Sequence, residues 1–326
     1  MPEVLQYGFM VRALVAALLV GLAAPAVGVF LVQRRLSLIG DGMGHVALTG
    51  VALGLLTGRA PVAVALVVTV VAAVGVELLR RYGRAGGDVV LAVLFYGGIA
   101  GGVVLVARAD GSAATLNTYL FGAITTTSAQ DLRVFGVLAA VVLLATLGLG
   151  RRLAAVSSDE EHARASGLPV TGLNVLLAVL TAVTVVLSMR VVGLLLISAL
   201  MILPVAVAQQ TCRSFRTTTA AAMVVGVATS VVGVVTSYYG DTPSGGTIVL
   251  YLIALFVVAA AGSALLRAAR HRGHRRSARA AGAGAAAGPD VSVARSGGPA
   301  SSDPGGTAVS SSPSLLAPGS SPREGA

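Results

Sequence analysis

The sequence predicts an all-α, polytopic membrane protein of about eight or nine transmembrane helices. Of its 326 residues, 56% are hydrophobic and 11% charged, against roughly 25% charged in soluble domains. Mean hydropathy over the chain is +0.88. The apolar residues fall into repeated runs near the ~20 residues that cross a bilayer as a helix. The polar/apolar alternation of a membrane β-barrel does not occur in them.

Taken in order, Val11–Val32 lacks the basic leader and shorter core of a secretory signal and reads as a retained first span. Further spans are predicted at Ile39–Thr57, Pro61–Leu79, Val89–Ala107, Val134–Gly150, Gly172–Ser188, Val191–Val207, Thr217–Tyr238 and Thr247–Leu266. The arginines orient them. One alternating set of loops holds Arg34 and Arg35, then Arg80, Arg81 and Arg84, then Arg151, Arg152 and Arg164, then Arg213 and Arg216, then the run Arg267–Arg279. The opposite loops hold only Arg59, Arg108, Arg133 and Arg190. The positive-inside rule makes the first set cytoplasmic and puts the N-terminus outside. Small-xxx-small spacings, Gly40-Gly44, Gly50-Gly54-Gly58, Gly97-Gly101 and Gly98-Gly102, suit close helix packing.

Three segments between spans carry content. The outer segment 110–131 contains Tyr119-Leu-Phe-Gly and reads as a short helix on or in the outer face. A second outer turn, YYGDTPSGG over 238–246, is broken by Pro243 and the glycines. In the cytoplasmic segment 151–170, Ser157-x-x-Glu160 and Ser158-x-x-Glu161 each match a capping box, and Gly167 with Pro169 supplies a stop. A helix over 159–166 follows, displayed as a docking knob or as an ordinary surface helix. From Ala280 the chain turns to Ala, Gly, Ser and Pro without apolar period, the composition of a disordered tail. Residues 1–270 are thus expected to form the membrane domain and 271–326 a basic, then disordered, cytoplasmic tail, its arginines attracted to anionic membrane lipids.

All 23 basic residues are arginine. A phosphate-binding loop of the GxxxxGK[ST] type needs a lysine, so this chain is no conventional P-loop ATPase. Most arginines lie at span ends, which speaks against nucleic-acid binding. The single cysteine, Cys212, allows no intrachain disulfide framework. Glu77 lies within ion-pair reach of Arg80 and Arg81.

Against this background Asp41 and His45 stand out, ionisable groups inside an apolar run and on one face of a helix. Counted from Arg35, His45 lies about 15 Å along a helix, near the bilayer midplane. An intramembrane aspartate costs roughly 2.5–3.5 kcal/mol on insertion scales and so expects a partner. Carboxylate plus neutral imidazole is an O/N donor pair that suits Zn²⁺, Mn²⁺ or Fe²⁺. Two other readings stand beside this one: Asp41 as the N-cap of its span, and His45 as a core histidine bonded to a carbonyl.

The segments RRLSLIGDGMGHVALTGVALG, LNTYLFGAI, DEEHARASGLPV, RVVGLLLISALMILPVAVAQQ and DTPSGGTIVL, in this order, resemble the zinc/manganese/iron ABC transporter permease family. The architecture is also similar to the cobalamin and iron-siderophore permeases, which are all-helical, work as homodimers and carry no ATPase of their own. The resemblance implies a multi-pass protein of the bacterial cell membrane. In it two permease subunits meet a pair of cytoplasmic ATP-binding subunits and an extracellular metal-binding protein. It implies no permanent cofactor, the metal being cargo held at Asp41 and His45. Asp159, Glu160, Glu161, Ala163 and Gly167 fall in the segment that contacts the ATPase. Asn117, Tyr119 and Phe121 fall near the docking place of the binding protein, and Asp241 falls in the outer turn before the last span. One departure is that family members often carry serine where this chain has Gly44. The competing function is a stand-alone proton-coupled metal carrier or channel; an intramembrane enzyme is disfavoured because no HExxH-type pair occurs and the histidines are few.

Overall fold

Helices follow the apolar runs almost one for one. The computed structural model describes residues 6–82, 87–108, 119–122, 128–189, 192–194 and 196–286, the side chains of 87–88 and 266–286 excepted. The helices are α1 (Gly8–Gln33), α2 (Ile39–Leu56), α3 (Pro61–Tyr82), α4 (Gly87–Arg108), α5 (Ala129–Gly148), α6 (Gly150–Ser158), α7 (Glu160–Ala165), α8 (Val170–Ser188), α9 (Ile197–Thr211), α10 (Phe215–Gly240) and α11 (Ser244–Ala286). Among the described residues, 8 helices are long and apolar enough to cross a membrane, and α9 is a shorter apolar one. By contacts the chain divides into Met1–Arg272 and Gly273–Ala326.

Around α1 the packing is set by small side chains. Ala16, Ala17, Ala23 and Ala24 are fully buried, and this narrow helix contacts α5, α8, α9 and α10. The helix α2 lies between α3 and α4, and α8 joins the two groups by touching α1, α2 and α3. Buried hydroxyls in this apolar bundle are satisfied locally. Thr181, Thr184 and Ser188 of α8 each donate to the carbonyl four residues back, at 2.8, 2.7 and 2.7 Å. The spans α4, α5 and α11 are the least buried, at 17%, 22% and 17% of their apolar windows.

Three expectations need correction. The span predicted at Val191–Val207 is helical only from Ile197. Gly193 instead takes φ +86°, and the Leu194 N–H donates to the Tyr119 carbonyl at 3.0 Å. Non-helical backbone at membrane depth is tolerated where protein covers it; Val192 and Leu194 are buried. The capping boxes of Ser157 and Ser158 do not form, because both serines close the unforeseen helix α6. Ser158 spends its hydroxyl on the Ala154 carbonyl at 2.8 Å, and Asp159 caps α7 by accepting from the His162 N–H at 2.9 Å. Finally, α11 runs helical past Ala280 to Ala286, where the alanines favour helix; residues 287–326 lie outside the described residues.

Candidate functional site

The turn from α1 into α2 sets the position of the Asp41/His45 pair. Arg34 is the C-cap of α1. Arg35 then adopts φ +58°, a left-handed conformation that glycine usually supplies. Leu36 N–H returns to the Leu31 carbonyl at 2.9 Å and Arg35 N–H to Val32 at 3.1 Å, completing a Schellman closure. Because 35–38 form a turn, depth along α2 counts from Ile39. His45 then lies about 9 Å up the helix and Asp41 about 3 Å, shallower than a continuous helix from Arg35 would place them.

Asp41 is not the N-cap. Leu38 holds that position, and Asp41 falls in the first turn. Asp41, His45 and Thr49 are half-buried while their neighbours along α2 are buried, so they form one polar stripe with a spacing of four. Among the described residues, neither the Asp41 nor the His45 side chain makes a hydrogen bond or ion pair. The one aromatic contact is the His45 ring edge-on to Phe95 of α4, with centroids 4.5 Å apart. The carbonyl partner that a core histidine would take is not found among the described residues. Thr49 donates to the Gly98 carbonyl of α4 at 2.8 Å, which pins α4 beside the pair. Packing there is backbone to backbone: a Cβ on Gly98 would stand 2.7 Å from Val46 N and 2.8 Å from His45 C. No group of three or more His, Cys, Asp or Glu side chains converges among the described residues. The stripe thus carries one carboxylate and one imidazole, an oxygen and a nitrogen donor, spaced four residues apart.

The predicted coupling residues divide by task. Asp159 caps α7. Ala163 is buried against the bundle. Gly167, at φ +79°, ends the helix with the same closure as α1, Leu168 N–H to Ala163 at 3.1 Å and Gly167 N–H to Arg164 at 3.0 Å. Glu160 turns inward, pairing with Arg34 at 3.4 Å and Arg164 at 2.9 Å. Glu161 is exposed and makes no ion pair with described residues. Burial lowers the Arg34 pKa, opposed by Glu77 and Glu160; guanidinium stays charged at any physiological pH regardless. Glu77 pairs with Arg80 at 3.4 Å, as its spacing suggested.

On the arginine-poor side, Tyr119 is buried, Phe121 is 41% exposed, and Asp241 is the exposed, left-handed C-cap of α10. Asn117 lies outside the described residues. Three sequence motifs meet here. A Cβ on Gly193 would collide with the carbonyl of Leu120 and the backbone of Phe121. A Cβ on Gly245 at the head of α11 would collide with the Val192 carbonyl and stand 2.9 Å from that of Phe121. Residues 119–121, helical as the sequence predicts, the break before α9 and the DTPSGG turn therefore form one packed unit.

The model of the ABC 3 transport family matches residues 6–263. The chain belongs to that family. It is 34% identical over 257 residues to the chelated iron transport system membrane protein YfeD of Yersinia pestis, covering 79% of this chain and 86% of the relative. It is 30% identical over 257 residues to the manganese transport system membrane protein MntC of Halalkalibacterium halodurans, covering 79% and 88%. Among solved structures, PsaBC of Streptococcus pneumoniae in complex with Fab matches with TM-score 0.72 and 30% identity, covering 79% of this chain and 93% of that one.

Within this ABC 3 chain, the Gly44 departure has a packing reason: a Cβ there would stand 2.8 Å from the Leu194 carbonyl in the break before α9. Two contacts around these residues escaped the sequence reading. Thr49 was legible as the next step of the Asp41/His45 stripe. The Arg34–Glu160 pair, 126 residues apart, has no local signal.

Proposed function

We propose that this chain is the membrane permease subunit of an ATP-driven importer for divalent transition-metal ions, in a bacterial cell membrane. The observation that carries the reading is the Asp41/His45 pair, half-buried in a span and with no side-chain hydrogen bond or ion pair among the described residues, in a member of the ABC 3 transport family. An unpartnered carboxylate and imidazole in a membrane helix mark an ion pathway, and their donor set suits zinc, manganese or ferrous iron. The relatives named for iron and manganese transport support that class of cargo.

Two ligands hold an ion weakly, as a transport site requires. A homodimer would bring a second Asp41/His45 pair to the same axis, and the little-buried faces of α4 and α11 leave surface for it. The chain has no lysine for a nucleotide-binding loop, so ATP hydrolysis falls to a separate cytoplasmic subunit pair. That pair would grip α7 through the exposed Glu161, and an extracellular metal-binding protein would dock over Phe121 and Asp241. Motion of α7 then has a short rigid path to the cargo. Glu160 holds Arg34, Arg34 opens the turn into α2, and Asp41 lies in the first turn of α2. The test is reconstitution. Zinc or manganese flux into proteoliposomes is expected only with the partner ATPase and ATP, and flux by this chain alone would overturn the reading in favour of a stand-alone carrier.

A further inference from the structure

On the bundle flank formed by α1, α5, α6 and α10, a cavity of about 820 Å³ opens at the arginine-rich end. Its walls include Phe30, Leu147 and Met223, and Arg151 and Arg216 stand at its mouth. A second apolar hollow of about 510 Å³ continues from it along α10, sharing Ala220 and Met223 and reaching Val227 and Ala228. The hydroxyls that face the first cavity are already satisfied. Thr146 donates to the Val142 carbonyl at 2.7 Å and Thr219 to Phe215 at 2.9 Å. The two guanidinium groups are therefore the only charged side chains in a largely apolar groove.

We propose that this groove binds one anionic phospholipid, its phosphate held by Arg151 and Arg216 and an acyl chain laid along α10. Charge is the first argument. No carboxylate lines the cavity, and neither arginine forms an ion pair with the described residues, so the mouth presents uncompensated positive charge at the level where span ends meet headgroups. Length is the second. From Arg216 to Ala228 the groove runs about 18 Å along the helix axis, close to the ~15 Å depth of one leaflet's hydrocarbon. Exposure is the third: Leu147 is 62% and Val224 68% exposed, so the groove opens sideways to the membrane. A second copy of the chain is the poorer occupant, since a two-fold contact on this face would set Arg151 and Arg216 against their own copies. The proposal rests on the membrane-spanning fold alone and does not depend on the metal reading.

The test uses the full chain, purified with its partner subunits, and native mass spectrometry of retained lipid. With phosphatidylglycerol and phosphatidylcholine of identical acyl chains, the wild type should retain one phosphatidylglycerol per chain, about 30-fold more tightly than phosphatidylcholine. Arg151→Gln with Arg216→Gln should erase that preference. Met223→Trp, which fills the groove and leaves both arginines, should reduce retention of either lipid. Arg152→Gln with Arg213→Gln, which removes equal charge from the same membrane side outside the groove, should leave retention unchanged. Equal retention of the two lipids by the wild type would overturn the proposal, and that comparison needs no variant to fold. Equal loss in the Arg152/Arg213 control would reduce the effect to a diffuse basic rim and also overturn it. Displacement of phosphatidylglycerol by millimolar inorganic phosphate would identify a soluble-anion pocket and count against a lipid site.

Discussion

Adjacent glycines on α4 should respond oppositely to the same substitution. In Gly98→Ala the new methyl would lie 2.7 Å from Val46 N and 2.8 Å from His45 C, both backbone atoms of α2. Neither can rotate away, so α4 must retreat by about 0.7 Å to reach ordinary contact. That retreat stretches the Thr49 hydroxyl's bond to the Gly98 carbonyl from 2.8 Å to the edge of hydrogen-bonding distance. Overpacking costs about 1–3 kcal/mol, and a lost interhelical hydrogen bond in a membrane about 0.6–1.7 kcal/mol. Gly97→Ala has nothing within 4 Å of its methyl and gains about 1 kcal/mol of helix propensity. The propensity gain is common to both variants, so Gly98→Ala should be less stable than Gly97→Ala by about 2–5 kcal/mol. Thermal unfolding of the two purified variants in one detergent reads this difference. Metal uptake should fall with Gly98→Ala and hold with Gly97→Ala, because the retreat shifts α4 beside His45. Equal unfolding midpoints would refute the packing of α2 on α4 described above.

Other perturbations follow from single contacts. Thr49→Val keeps the shape and removes the donor to Gly98, so thermal stability should drop by about 0.6–1.7 kcal/mol with the complex still assembled; no change would mean that bond contributes nothing. Gly245→Ala drives a methyl into the Val192 carbonyl, so expression of folded protein judged by size-exclusion should collapse, whereas Gly246→Ala, with nothing within 4 Å, should be tolerated. Asp159→Ala removes the α7 cap and should cost about 1 kcal/mol locally, loosening ATPase co-purification. Glu161→Ala should weaken the same co-purification without touching thermal stability, and unaltered binding in that variant would remove Glu161 from the docking surface.

Much of the architecture was legible because length and hydropathy decide it. The run Pro61–Leu79 became α3, Pro61–Tyr82, with only its last turn extended. Some glycine spacings also carried over. Gly50 and Gly54 abut Ala65 and Pro61 of α3, and Gly98 and Gly102 abut α2. Gly97 touches nothing and Gly58 ends a helix at φ +65°, because spacing alone cannot tell a packing face from a lipid face. The segment RVVGLLLIS read as helix by its apolar content, yet its Leu194 N–H donates to the Tyr119 carbonyl, more than seventy residues away in sequence. Only tertiary contact reveals that. Ser157 and Ser158 matched a capping pattern that Asp159, one residue later, satisfies better. At the site itself, spacing supplied the Asp41/His45 face, while the His45 contact with Phe95 and the Thr49 bond to Gly98 required the packed bundle.

The claim that matters most is that Asp41 and His45 hold the transported ion. ATP-driven uptake of radiolabelled zinc and manganese into proteoliposomes carrying the assembled importer tests it directly, with the near-isosteric variants Asp41→Asn and His45→Gln. Each variant should assemble with the ATPase as the wild type does and lose about tenfold or more of its uptake. Wild-type uptake by either assembled variant would contradict the account and return that side chain to a purely structural role in α2.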